Sequence, residues 1–496
     1  MKRERLSRFL TVFVLLFILL ILPVPGAIAV GTELPEQYLK GILNLIQQKY
    51  LDETSTDSLV QSALEGIFDG LDEYTAFYTP PEADDFLATV KGRYVGIGAV
   101  LKKFGDTIVV YSVFPESPAD KAGLIPGDKI IAVDGIGVTG MSVDQTGEMI
   151  KGEEGARVVL EIARPGRQGM IKIEAKRAEI KINPVETRVI ENTGLIKILY
   201  FNENVEEYMQ KALMDMDKQS INKIILDLRD NPGGEASAAA AVAKNFVPKG
   251  LITKLDFKEK DKEDVYYYSE LEEPRYKLVV LVNGNTASAS EILAGAIQDT
   301  RAGILLGTRT YGKSKVQNVI PLLTPQAYEK YSKTYGIDSP DAFLLTERYN
   351  IGLQENEIIG WVKMTTGEYY TPKGRRIDRQ GLVPDVVVQD YAPVKGIDVY
   401  EIGRLRQKEK PGLETESIDV ANAEKILKLL GYEIETPDLL LDNKTFQAIK
   451  KYQADKGFYS YGVLDFATQR ALNGELDRLI LQSDQQLAKA LELLAD

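Results

Sequence analysis

Apolar residues between Leu34 and about Val90 recur at three- and four-residue spacing. Leu39, Ile42, Leu43, Ile46 and Tyr50 form one stripe, which predicts a helical region over 33–90. Such a stripe packs either on the rest of the chain or on another subunit, so a homodimer through these helices is one expectation. From about Gly92 to Ala178 the pattern shortens to alternating segments, with strands expected near Thr107–Val113, Lys129–Val133 and Arg157–Arg164. Continuous apolar runs at Ile221–Leu228 and Leu278–Val282 lead into Gly-rich or Ala-rich helical sequence, the texture of buried strands in an α/β unit over 179–395. Within that unit, 324–360 stands out as an insertion rich in Tyr and charge: a lid, a dimer contact or a surface ornament. Helical periodicity returns after Gly412, with a first helix at Ala423–Tyr432. Asp442 and Asp465 then stand as N-caps of two Ala-containing helices. A small α-helical module over 413–475 and a C-terminal helix over 476–496 complete a multidomain α/β chain.

The N-terminus adds an address. Lys2, Arg3, Arg5 and Arg8 precede an uncharged apolar run from Phe9, which closes on Ala27-Ile28-Ala29. That is the layout of a secretory signal over 1–29. The uncharged stretch continues to Glu33, long enough to cross a bilayer, so a retained membrane anchor is the alternative. Either way the body is expected outside the cytoplasm, secreted or membrane-anchored. The net charge of -13 argues against nucleic acid as a partner. Composition excludes more: the chain has 0 Cys and 0 His. Thiol catalysis, disulfides, Cys-ligated zinc, the Ser-His-Asp triad and the H-E-x-x-H zinc site all fall away. A hydrolase built from this sequence has a carboxylate, a lysine or a metal-bound water as its base. No motif calls for a metal or another cofactor.

Three segments carry candidate chemistry. The first, Ile225-Leu226-Asp227-Leu228-Arg229-Asp230-Asn231-Pro232-Gly233-Gly234, is a hydrophobic strand ending in a tight turn before an Ala-rich helix. Backbone amides at such a turn face the crevice beyond the carboxyl end of a sheet, as an oxyanion hole requires. The second, Leu281-Val282-Asn283-Gly284-Asn285-Thr286-Ala287-Ser288-Ala289-Ser290-Glu291-Ile292, sets a serine among small residues at a helix N-terminus. The third is Thr310-Tyr311-Gly312-Lys313-Ser314-Lys315-Val316-Gln317. Gly307–Ser314 also matches the Walker A pattern. A phosphate loop must feed a helix, however, and Val316–Pro321 reads as a strand stopped by proline.

In order and spacing these segments resemble those of the carboxy-terminal processing, or tail-specific, serine proteases. The resemblance runs from about Leu34 to Val388 and includes Tyr369-Tyr370-Thr371-Pro372-Lys373-Gly374-Arg375-Arg376-Ile377. It implies an α/β Ser-Lys protease core with Ser288 as nucleophile, Lys313 as general base and Gln317 holding the lysine amine. The amides of Ala289 and of Gly233 or Gly234 would form the oxyanion hole. Ser290 is the rival nucleophile. A lysine, ordinarily at about 10.4, has to be desolvated to serve as a base near neutrality. The family usually has Gly after that lysine; here Ser314 follows, then Lys315, a second cation that would favour the uncharged amine if close.

Ser117-Pro118-Ala119-Asp120-Lys121-Ala122-Gly123-Leu124, followed by Pro126-Gly127-Asp128, resembles a PDZ domain, inserted over 91–178. Its loop Val95-Gly96-Ile97-Gly98 would receive the terminal carboxylate of a peptide beside an edge strand, which implies protein or peptide substrates with free C-terminal tails as partners. The module over 413–475 resembles a peptidoglycan-binding domain whose usual Asp-Gly turn is replaced by Pro437-Asp438-Leu439. Peptidoglycan, and with it the cell wall, is therefore a candidate partner; a purely structural tail is the alternative. A catalytically dead scaffold and a glycan hydrolase are the competing functional classes.

Overall fold

The computed structural model describes residues 36–259 and 263–495; the expected signal or anchor over 1–29 lies outside the described residues. The chain divides into a unit ending at Phe77 and a unit starting at Tyr78. The first unit contains the helices Glu36–Lys49 and Thr56–Asp69, the second started by Ser55, whose side chain accepts the Ser58 amide. Leu39, Ile42 and Tyr50 of the expected stripe are exposed. No described helix is long and apolar enough to cross a membrane.

The second unit is built around a sheet in the order Val185–Ile190, Thr193–Ile198, Lys223–Asp227, Lys277–Val282, Ile304–Gly307, Val386–Val387. The first pair is antiparallel and the remaining pairs are parallel. Ile224–Leu226 and Leu278–Val282 are buried on both faces, which is why they read as unbroken apolar runs. One face is covered by helices Val205–Lys218, Ala236–Ala243 and Ala289–Thr300, whose apolar residues share a core with Ile224, Leu226, Val280 and Val282. The opposite face carries Ile225, Val279, Leu281 and Leu306, packed with Leu476, Ile480, Leu487 and Leu494 of the C-terminal helices. A second sheet holds Gly250–Phe257, Val265–Ser269, Lys315–Leu323 and Ile358–Tyr370.

The PDZ-like region forms its own antiparallel sheet, in the order Ala99–Phe104, Thr107–Val113, Lys129–Val133, Arg157–Ala163, Met170–Lys176. Two paired strands, Arg93–Gly96 and Ala178–Lys181, lead into it and out of it. Its strand Thr107–Val113 turns Val109 away from its own core and onto Ile418, Ala421 and Leu439 of the C-terminal module, and Lys129 pairs with Glu416 at 2.6 Å beside them. In that module Asp442 and Asp465 both act as N-caps, accepting the amides of Thr445 and Thr468.

Three expectations change. The first module helix starts earlier, at Ile418, because Ser417 caps it by accepting the Asp419 amide. The boundary expected at 475 falls inside one helix, Phe466–Ser483, since the same helix closes the module and covers the sheet. Pro321 does not stop its strand, which continues to Leu323. That strand is laddered to Ile358–Tyr370 on one side and meets only a single bridge, Leu322–Asp341, on the other, where the Pro321 carbonyl accepts the Ala342 amide (2.9 Å), so the missing N–H costs no ladder bond. The insertion over 324–360 is two helices, Pro325–Tyr335 and Phe343–Tyr349, packed around Tyr331, Ile337 and Leu345.

Candidate active site

The three chemical segments leave the carboxyl ends of three adjacent parallel strands, Lys223–Asp227, Lys277–Val282 and Ile304–Gly307, the position where open α/β sheets gather their ligands. Ser288 precedes helix Ala289–Thr300 with φ 56° and ψ -120°. That backbone region is costly for a side chain bearing Cβ, by about 1–3 kcal/mol, and persists only where the surroundings impose it.

Two buried side chains impose it. The Glu291 carboxylate accepts the Ser288 amide (3.0 Å) and the Lys313 amide (2.9 Å) on one oxygen. Its other oxygen accepts the Gly312 amide (2.9 Å) and the Thr310 hydroxyl (2.5 Å). From the other side, the Tyr369 hydroxyl lies 3.0 Å from the Ser288 carbonyl and 2.8 Å from the Lys313 carbonyl, its one proton shared between them. Ser288 and Lys313 are thus bound through both their amides and their carbonyls to the same pair of groups. Burial raises the Glu291 pKa, opposed by the hydrogen bonds from Thr310, Lys313, Gly312 and Ser288. Burial, and then the charge of Glu291, hold the Tyr369 hydroxyl well above its ordinary value, so it stays protonated and able to donate.

The turn Asn231–Gly234 lies against Ser288. The Asn231 carbonyl accepts the Ala287 amide (3.1 Å), and its side-chain nitrogen donates to the Ile198 carbonyl (2.8 Å). Gly233 has φ 109°, and a Cβ there would stand 2.8 Å from Ser288 Cβ, so only glycine lets the turn approach so closely. Its amide is not open as expected: it donates to the Asn231 side-chain oxygen at 2.9 Å, closing an Asx turn. Ala289 opens the helix, where an amide has no intrahelical acceptor. Ser290 is fully buried and donates to the Asn231 carbonyl (3.1 Å), which removes it as a nucleophile in this conformation. Gln317 lies on the strand after Lys313 and donates to the Thr365 hydroxyl at 3.2 Å. The Walker-like loop runs into that strand and not into a helix.

The loop Val95–Gly98 joins the strands Arg93–Gly96 and Ala99–Phe104, the latter an edge of its sheet. With helix Val143–Ile150 it borders a groove of about 220 Å³ lined by Ile97, Ala99, Leu101, Val143 and Ile150. At Gly98 φ is +81°, and a Cβ would meet Ser117 Cβ at 2.5 Å.

Comparison with known proteins agrees with this layout. The model of peptidase family S41 matches residues 192–388, that of the PDZ domain 109–164, and that of the peptidoglycan binding domain 416–472. The carboxy-terminal processing protease CtpA of Bacillus subtilis (strain 168) is 30% identical over 457 residues, covering 90% of this chain and 88% of that protein. The chain belongs to the carboxy-terminal processing proteases of peptidase family S41. CtpB of the same organism is 28% identical over 458 residues, covering 91% of this chain and 87% of its own. The photosystem II D1 C-terminal processing protease, a solved structure, is 26% identical with a TM-score of 0.37, over 70% of this chain and 86% of that one.

In this carboxy-terminal processing protease several polar residues near the site hold the fold. Asp299 pairs with Arg375 (2.6 Å) and accepts the Lys373 amide (3.0 Å), tying the end of the Ser288 helix to the turn after Tyr369. Lys315 pairs with Glu368, which also binds Arg376, so the second cation is locally neutralised. Asp227 and Arg229 form a buried pair at 2.7 Å, and Arg229 reaches Asp484 at 2.7 Å. Sequence reasoning missed Glu291 and Tyr369. Glu291 had a signal, since Ser288-Ala289-Ser290-Glu291 has the S-x-x-E spacing of a capping box. Tyr369 had none, because its partners come from two other segments.

Proposed function

We propose that the protein is an exported serine endopeptidase that works through a Ser288–Lys313 dyad. Ser288 Oγ attacks the scissile carbonyl carbon as its proton passes to Lys313 Nζ. The new C–O bond leaves a negative charge on the former carbonyl oxygen. Lys313 then returns the proton to the leaving amine as the C–N bond breaks, and water releases the acyl group by the same route in reverse. The Ala289 amide faces the oxyanion. The Gly233 amide joins it once the Asn231 side chain gives up its bond. Gln317 steadies the lysine amine. The observation that carries this reading is the double tether of Ser288 and Lys313 to Glu291 and Tyr369, which fixes the lysine's backbone beside a serine held in a strained one. A merely structural helix cap has no use for that strain. Substrates are proteins whose free C-terminal tails dock in the PDZ groove, and the C-terminal module adds a surface for peptidoglycan.

The test is cleavage of unfolded casein by the protein against Ser288→Ala and Lys313→Ala. Both variants are expected to lose at least about a thousandfold in kcat with unchanged circular dichroism. Cleavage by Ser288→Ala at the wild-type rate would overturn the dyad.

A further inference from the structure

The turn Asn231–Gly234, half of the oxyanion hole in the proposed mechanism, is held on its other side by Phe201. The Phe201 amide donates to the Gly233 carbonyl (2.8 Å), and the Phe201 carbonyl accepts the Glu235 amide (2.9 Å), with Phe201 paired to Gly234 between those bonds. A Cβ at Gly234 would stand 2.0 Å from the Phe201 carbonyl oxygen, so the two backbones touch. To leave the Asn231 side chain and face an oxyanion, the peptide plane before Gly233 has to turn while the carbonyl after it stays with Phe201. Phe201 is therefore the pivot, and whatever fixes Phe201 fixes where that amide points.

Further along the same segment, Asn204 binds the base of the PDZ insertion. It is 9% exposed and donates through its side-chain nitrogen to the Gly92 carbonyl (2.7 Å) and the Ile182 carbonyl (3.3 Å). Gly92 precedes the strand that enters the PDZ domain and Ile182 follows the strand that leaves it, and the Ile182 amide donates to the Gly92 carbonyl (2.8 Å). One side chain thus holds both ends of the insertion. The link from Asn204 back to Phe201 is stiff. Asn202 Oδ1 accepts the Asn204 amide (3.0 Å), and the Asn202 carbonyl accepts the Val205 amide (3.1 Å) at the start of helix Val205–Lys218. Gly92 has φ +64°, and a Cβ there would fall 1.8 Å from Asn202 Nδ2, a buried nitrogen with no hydrogen-bond partner. A donor left so costs about 1–3 kcal/mol. Such a cost persists where a backbone is held in place by everything around it.

We infer that Asn204 is a positioning residue for the cleavage reaction: by binding both ends of the PDZ insertion to the segment that carries Phe201, it sets where the Gly233 amide meets the oxyanion. The inference rests on the reading of Ser288 as nucleophile with Gly233 in its oxyanion hole. It adds a residue that acts through Phe201 and the turn, not on the substrate. Capping is not its task, since the Asn204 side chain makes no cap bond to helix Val205–Lys218.

Casein cleavage is followed with the full chain, counting only the activity that Ser288→Ala removes. Asn204→Asp keeps the size and sets an acceptor against two carbonyls; Asn204→Ala removes the contact and is the milder change. Both are expected to lose at least about tenfold in kcat with KM within about threefold, the split that a misplaced oxyanion donor produces. Ser269→Ala is the control, because it removes another buried hydrogen bond, to the Val247 carbonyl at 2.6 Å, on the second sheet. It is expected to lower Tm comparably and to keep kcat within about twofold. Folded Asn204 variants with kcat within about twofold of wild type overturn the positioning role, and so does a Ser269→Ala that loses kcat in the same proportion. If Asn204→Asp does not fold, Asn204→Ala decides. Undiminished cleavage by Ser288→Ala overturns the nucleophile, and this inference with it.

Discussion

Glu291 is the residue on which the Ser288–Lys313 geometry turns. Its two oxygens collect four donors, three of them backbone amides from the two turns that carry Ser288 and Lys313. Glu291→Gln keeps the volume but sets an NH₂ group against amides that need an acceptor. A buried donor left unpaired costs about 1–3 kcal/mol. The Ser288 backbone, already at φ 56°, is the place where that cost is relieved. The variant is expected to stay folded and to lose at least about tenfold in kcat on casein, with a smaller change in KM. A kcat within twofold of wild type would show that the tether does not shape the site.

Helix Ile418–Leu430 shows how one element keeps an ionisable group buried. Glu424 is 3% exposed, accepts the Asp438 amide at 2.7 Å, and binds the hydroxyl of Thr445 on the next helix. Burial pushes its carboxyl up to about 7 from an ordinary 4.5, against those two hydrogen bonds. The folded state therefore binds more protons than the unfolded chain between those values. Stability is lost as pH rises through that window and is level above it, with a swing on the order of 3 kcal/mol. Glu424→Gln cannot titrate. Its Tm relative to wild type should accordingly improve between pH 5 and pH 8, whatever the sign of the difference at pH 5. A constant difference would show that Glu424 ionises normally.

Across the whole second unit, the C-terminal helices complete the fold. The helices that follow the core strands in sequence all pack on one face, and Leu476, Ile480 and Leu487 close the other. Arg229, 2% exposed, joins the two parts: it binds Asp227 on the core strand and Asp484 between the last two helices, and Asp484 also accepts the Tyr400 hydroxyl at 2.5 Å. Asp484→Asn removes one carboxylate from a buried cation. It is expected to cost about 3 kcal/mol in urea unfolding, with loss of protection in Gln485–Ala495 by amide hydrogen exchange. An unfolding midpoint equal to wild type would mean that Arg229 is satisfied by Asp227 alone.

Local pattern was enough to read the strands Thr107–Val113 and Lys129–Val133, the buried strands of the core and the caps Asp442 and Asp465, because alternation, apolar runs and Asx caps are written within a few neighbouring residues. Composition was enough to exclude histidine and cysteine chemistry, and motif order brought Ser288 and Lys313 to notice. Other features depend on partners remote in sequence. Pro321 continues a strand because the side away from Ile358–Tyr370 meets only the single bridge Leu322–Asp341, which no neighbouring residue announces. The Gly233 amide is spent on Asn231 because the chain turns back on itself there. Tyr369 reaches Ser288 and Lys313 only because the second sheet runs beside the first. The helix across 475 serves two neighbours because a mostly parallel sheet has two apolar faces to cover, and the helices that follow its strands cover one.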